Sequence, residues 1–159
     1  MDVNLYIETH ANGKEVNEMK SLFTPKEVIS VIDVSYRQLQ YWDHSHFIGP
    51  TMRQGRRKTR LFTFKDLVLI ETAVRLRHEG YSVQHLRAVI TNLKKLLESL
   101  SFAIVDVTLL FRKDEILVFS GSVTTNLDPK EFILLSVKDL RDLVNARFPE
   151  EARARANIA

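Results

Sequence analysis

The sequence predicts a mainly α-helical fold that carries one β-hairpin, followed by a long amphipathic helix and a small α+β segment. Three observations predict it. Two short helical patterns, each opened by a capping residue, run from Thr24 to His44. Five cations (Arg53, Arg56, Arg57, Lys58 and Arg60) then crowd around a single glycine within the eight residues Arg53–Arg60. A stripe of aliphatic side chains at alternating spacings of three and four follows from Val83 to Leu100.

Each element has its own justification. Residues 1–20 are polar, without a sustained hydrophobic period, and read as a loose leader. Thr24-Pro25 pairs an N-cap with proline at the first helical position, where its missing N–H costs nothing. Val28, Ile29 and Ile32 supply one apolar face, so a helix is expected from Pro25 to Ile32. Asp33-Val34 is the turn, and Ser35 caps a second helix from Tyr36 to His44. Gly49-Pro50 stops it. Thr51 to Phe62 reads as a hairpin around Gln54-Gly55. Thr63 caps a third helix, with Asp66 as its capping-box partner. That helix ends at His78, with Gly80 as a left-handed cap.

Ser82 opens the helix with the clearest period. Val83, Leu86, Ile90, Leu93, Leu97 and Leu100 repeat as an a/d seam, and Val89 and Leu96 widen it. Such a stripe fits the core of a single chain or the seam of two paired helices. The pairing is preferred, because small DNA-binding units commonly act as dimers on two half-sites. Beyond Leu100 the period changes to two. A strand is expected from Ala103 to Phe111, a turn at Arg112–Asp114, a second strand over Glu115–Ser120, a third over Lys130–Leu135, and a last helix capped by Ser136.

Charge and composition narrow the chemistry. Residues 20–100 carry fourteen Lys and Arg against seven Asp and Glu, whereas residues 1–19 carry one against four, and residues 101–159 eight against nine. The positive charge is thus concentrated where a polyanion would bind. No cysteine is present, which excludes disulfides, thiolate metal sites and cysteine nucleophiles. The apolar runs are too short to span a bilayer, and the first residues lack the pattern of a secretory signal. A cytoplasmic, nucleoid-associated protein is expected. His44 and His46 stand two apart, off a shared helix face, so no metal is expected. No glycine-rich phosphate loop or nucleophile–base pair emerges, and the chain reads as a non-enzyme without a cofactor.

A basic, glycine-centred hairpin just after two helices is the layout of a winged helix-turn-helix, whose second helix enters the DNA major groove. Arg37 can grip guanine with its fork, and Gln38 or Gln40 can pair with adenine. Tyr41, one turn from Arg37, can reach a phosphate. Trp42 is expected in the core. Arg53, Arg56, Arg57, Lys58 and Arg60 repel one another unless a counter-charge arrives, and a phosphate backbone supplies it.

Residues Phe23 to Ile90 resemble the DNA-binding domain of MerR-type transcription regulators. The resemblance rests on Phe23-Thr-Pro-Lys-Glu-Val28, Leu39-Gln-Tyr-Trp-Asp43, Phe47-Ile-Gly-Pro50, Arg60-Leu-Phe-Thr-Phe-Lys-Asp-Leu67 and Gly80-Tyr-Ser82. Gln40 stands where the family usually has arginine, Thr59 and Phe62 where it has tyrosine, and Asp33 where glycine is usual in the turn. The resemblance implies pairing through a long helix, here Val83–Leu100, and bending or untwisting of promoter DNA.

The resulting expectation is a homodimeric transcriptional regulator of double-stranded operator or promoter DNA, with RNA polymerase as an optional second partner. The alternatives are an architectural, recombination or partition accessory factor, and a protein-interaction adaptor on the same fold. The expected organisation is a leader (1–20), a winged helix-turn-helix domain (21–81), a dimerisation helix (82–101), an α+β domain (102–149) and a tail (150–159).

Overall fold

The computed structural model describes residues 20–100, 106–120, 128 and 130–149. Residues 1–19 of the expected leader, the start of the strand at Ala103–Val105, most of the loop from Gly121 to Asp128 and the tail from Glu150 lie outside these residues. The described residues form a mixed architecture of five helices and two three-stranded sheets.

The first half follows its capping residues. Strand β1 (Leu22–Phe23) leads into helix α1 (Pro25–Val31), whose Thr24 side chain accepts from the Glu27 N–H while Glu27 accepts from the Thr24 N–H. Burial works against the Glu27 carboxylate, but the Thr24 N–H and the Lys20 ammonium outweigh it and hold its pKa below the usual value. Helix α2 (Tyr36–His44) starts where the Ser35 hydroxyl accepts from the Gln38 N–H. Strands β2 (Met52–Gln54) and β3 (Thr59–Thr63) form the expected hairpin, with Arg53 opposite Arg60. β1 joins it as a third strand in the order β1-β3-β2, pairing Phe23 with Phe62. A two-residue strand is too short to leave a period, so nothing in the sequence announces it.

Helix α3 (Phe64–His78) is the centre of the molecule. Its Thr63–Asp66 capping box forms, and its apolar residues are buried around most of its circumference, as befits a core helix. Asp66, only 6 % exposed, also accepts from the Thr51 N–H and hydroxyl, and so ties the base of the hairpin to α3. Gly80 takes φ +89°, the left-handed cap expected of it.

Helix α4 (Val83–Ser99) requires a correction. Four of the six seam residues are sealed inside the chain: Leu86 is 2 %, Ile90 3 %, Leu93 0 % and Leu97 2 % exposed. They pack in one continuous core with α3 and the C-terminal sheet, so they are not available to pair with a second chain. Val83 is exposed, and Leu100 is half-buried against the same core. The reason is geometric. A heptad seam and an ordinary core stripe drift apart by only about 20° per heptad, less than the width of an apolar face over a helix this short.

The C-terminal segment adds β4 (Val107–Arg112), β5 (Glu115–Ser120), β6 (Ile133–Ser136) and α5 (Val137–Arg147), with β4 central in the order β5-β4-β6. The third strand is shorter than expected and begins at Ile133. Val107, Leu109 and Phe111 face the core. Helix α5 returns to the first helix, and Phe148 just beyond it lies 6.0 Å from Phe23, ring to ring. One hydrophobic cluster therefore runs from Phe23 to Val144.

Candidate nucleic-acid interface

Helices α1 and α2 meet through a tight turn in which the Val34 N–H donates to the Ile32 carbonyl at 2.8 Å. Asp33, standing where the family usually has glycine, does not take a left-handed conformation. Among the described residues, the non-glycine positions with positive φ are His46, Lys58 and Lys113. The extended backbone of Ile32 makes the turn instead, at φ −111° and ψ 138°.

Helix α2 buries Leu39 and Trp42 and leaves Gln38 and Asp43 half-buried. Trp42 sits in the core, edge-on to Phe47 with ring centroids 5.5 Å apart. Arg37, Gln40, Tyr41 and His44 are all exposed and fall at positions i, i+3, i+4 and i+7, which is one outward stripe. Tyr41 is 67 % exposed. Gln38 lies off the stripe. It is half-buried and lines a shallow cleft with Asp33, Val74, Arg77 and His78, so it faces α3.

The five hairpin cations divide into two groups. Arg53 donates its Nη2 to both oxygens of Asp43, at 2.8 and 2.9 Å. The Arg60 Nη1 lies 3.9 Å from Oδ2 of the same carboxylate. It also donates to the Tyr36 hydroxyl at 2.7 Å and lies 5.2 Å from the Tyr36 ring centre. Arg56, Arg57 and Lys58 stand at the tip, exposed, and no ion pair is found for them among the described residues. Gly55 and Lys58 turn the tip with φ +80° and +49°. The left-handed position at Gly55 is the one a glycine fills without strain.

Asp43 is thus the joint between α2 and the hairpin. Gly49 makes room for it, since a Cβ there would lie 2.9 Å from the Asp43 Oδ1. Sequence reading singled out Asp43 for family resemblance but not for this pairing. The two arginines are ten and seventeen positions away, and only the fold brings them together. Arg87 was also missed. From α4 it lies 5.3 Å from the Phe47 ring and reaches the Ser45 carbonyl at the C-terminal end of α2. The cation there complements the negative end of the helix.

Two capped helices joined by a tight turn, followed by a basic hairpin, define a helix-turn-helix module. Residues 23–93 match the model of the MerR HTH family of regulatory proteins. This stretch is a MerR-type helix-turn-helix domain. Similar proteins include uncharacterized HTH-type transcriptional regulators of Mycobacterium bovis and of two strains of Mycobacterium tuberculosis. Each is 30% identical over 67 residues, which covers 41% of this chain and 30% of the relative. The matched region thus spans under a third of those proteins.

Proposed function

We propose that this chain is a DNA-binding regulator of transcription that acts on double-stranded operator or promoter DNA as a homodimer. The observation that carries the reading is the adjacency of two surfaces. The outward stripe of α2 (Arg37, Gln40 and Tyr41) is joined through Asp43 to a hairpin whose tip holds three cations without an ion pair among the described residues. Helix α2 enters the major groove. Arg37 and Gln40 meet base edges there, and Tyr41 meets a phosphate. The hairpin lies along the flanking backbone as a wing, and Arg56, Arg57 and Lys58 neutralise phosphates. Arg53 and Arg60 hold the wing against α2 while keeping donors free to share. Gln38, turned toward α3, supports the helix rather than reading a base.

The test replaces Arg56, Arg57 and Lys58 together by alanine. Duplex binding should weaken sharply, and the log–log salt slope should flatten by roughly one unit for each phosphate no longer neutralised. A triple variant that binds with unchanged affinity and slope would overturn the wing.

A further inference from the structure

The α4 seam is spent inside the chain, so a dimer needs another surface. The C-terminal sheet offers one. Its two edges differ. On the β6 edge, Arg75 of α3 donates Nη1 to the Leu134 carbonyl at 2.8 Å, so a backbone acceptor there is already capped. On the β5 edge, no side chain among the described residues bonds the backbone of Glu115–Ser120 in this way.

The side chains of β5 also lack a neighbour on one side among the described residues. Val118 lies in one row with Leu109 of β4 and Leu135 of β6. That row faces the core, and Leu109 is 0 % and Leu135 1 % exposed, yet Val118 is 38 % exposed. Leu117 and Phe119 point to the other face and are each 37 % exposed. A strand with one wet face would alternate between buried and exposed. Equal exposure on both faces is what an unpaired edge produces, because each side chain lacks the strand beside it. The four residues Ile116–Phe119 are all apolar, without the Lys or Pro that usually guards an open edge.

We infer that β5 pairs antiparallel with β5 of a second copy of this chain, joining two three-stranded sheets into one of six strands across a two-fold axis. The strand suits its own copy. Its centre is uncharged, so self-pairing sets no like charges opposite one another, and the one acid, Glu115, is already held by Arg112 at 2.7 Å. A two-fold axis normal to the sheet sets one residue opposite itself, and the longest overlap of two Glu115–Ser120 strands puts Leu117 or Val118 at that position. The contact is isologous and closed, so it stops at two chains. The choice of a second copy over another partner rests in part on the DNA-binding reading, since two helix-turn-helix units on two half-sites require a two-fold.

The test uses the full chain. Sedimentation should find wild type as a dimer, and Val118→Lys as a monomer with an unchanged helical circular dichroism spectrum. The absence of native cysteine allows a second measurement that does not depend on tolerance of lysine. Leu117→Cys and Val118→Cys are made separately and mildly oxidised. Cα atoms of facing residues in an antiparallel pair stand about 4.5–5.5 Å apart, within disulfide range. One of the two should cross-link, and Lys95→Cys on the exposed face of α4 should not. On DNA with two half-sites, Val118→Lys should bind about a hundredfold more weakly, while its affinity for a single half-site is retained.

A monomeric wild type, as when another segment of the same chain covers β5, would sink the proposal. So would a dimer that survives Val118→Lys, or no cross-link at either position. The two readings fail separately. The triple hairpin variant should remain dimeric, and a cross-linked dimer that binds no duplex would refute the DNA reading alone.

Discussion

Asp43 shows what a single carboxylate can do at the scale of one residue. It lies among cations proposed to face phosphate, where a negative charge costs affinity, and it is held there by Arg53, Arg60 and the space that Gly49 leaves. Its contribution is therefore orientation. Asp43→Ala should release Arg53, remove a repulsive charge and raise affinity for arbitrary duplex. It should also lower the ratio of specific to non-specific binding, because the hairpin no longer holds a set angle to α2. Competition between a selected site and random duplex measures that ratio, and an unchanged ratio would deny Asp43 the orienting role. The residue types were legible in the sequence, since Arg37, Gln40, Tyr41 and Trp42 lie on the faces their spacing assigns. Pairings across ten or more positions, such as Arg60 with Tyr36 and Thr51 with Asp66, were not, because spacing says nothing about what a turn brings together.

Among the elements, α4 is the instructive case. Its period is plain in the sequence and its partner is not. The stripe has the same form whether the apolar neighbour belongs to the same chain or to another, and burial decides between them. Leu93, at 0 % exposure, gives a direct measurement. Leu93→Ala should cost about 2–5 kcal/mol of folding stability, through the apolar atoms removed and the cavity they leave. In the dimer proposed here that destabilisation should appear as a lower denaturant midpoint, with the association constant of the folded chains unchanged. A variant that keeps its folding stability but dissociates would restore the α4 seam. Elements with caps were the readily legible ones. Thr24, Ser35, Thr63, Ser82 and Ser136 each begin a helix, because a side-chain oxygen satisfies an otherwise orphaned N–H wherever the rest of the chain lies.

For the molecule as a whole, the continuous core has a thermodynamic consequence. The helix-turn-helix module, α4 and the C-terminal sheet share one hydrophobic cluster, and α5 packs back on α1. The chain should therefore unfold in a single calorimetric transition, with the van't Hoff and calorimetric enthalpies agreeing per folding unit. Two resolved transitions would mean that the C-terminal part folds independently of the helix-turn-helix module. The sequence by itself determined the caps, the hairpin, the helix faces, the cation cluster and the likeness to MerR-type regulators. All of these depend on neighbours within a few positions, or on motifs that survive as strings. Only the tertiary structure decided that the leucine stripe closes on its own chain, that Asp43 binds the hairpin to α2, and that β5 has a single partner strand among the described residues. Each depends on which surfaces meet after the chain has folded back on itself. Local spacing constrains that outcome only loosely, because burial is a property of the whole packed core.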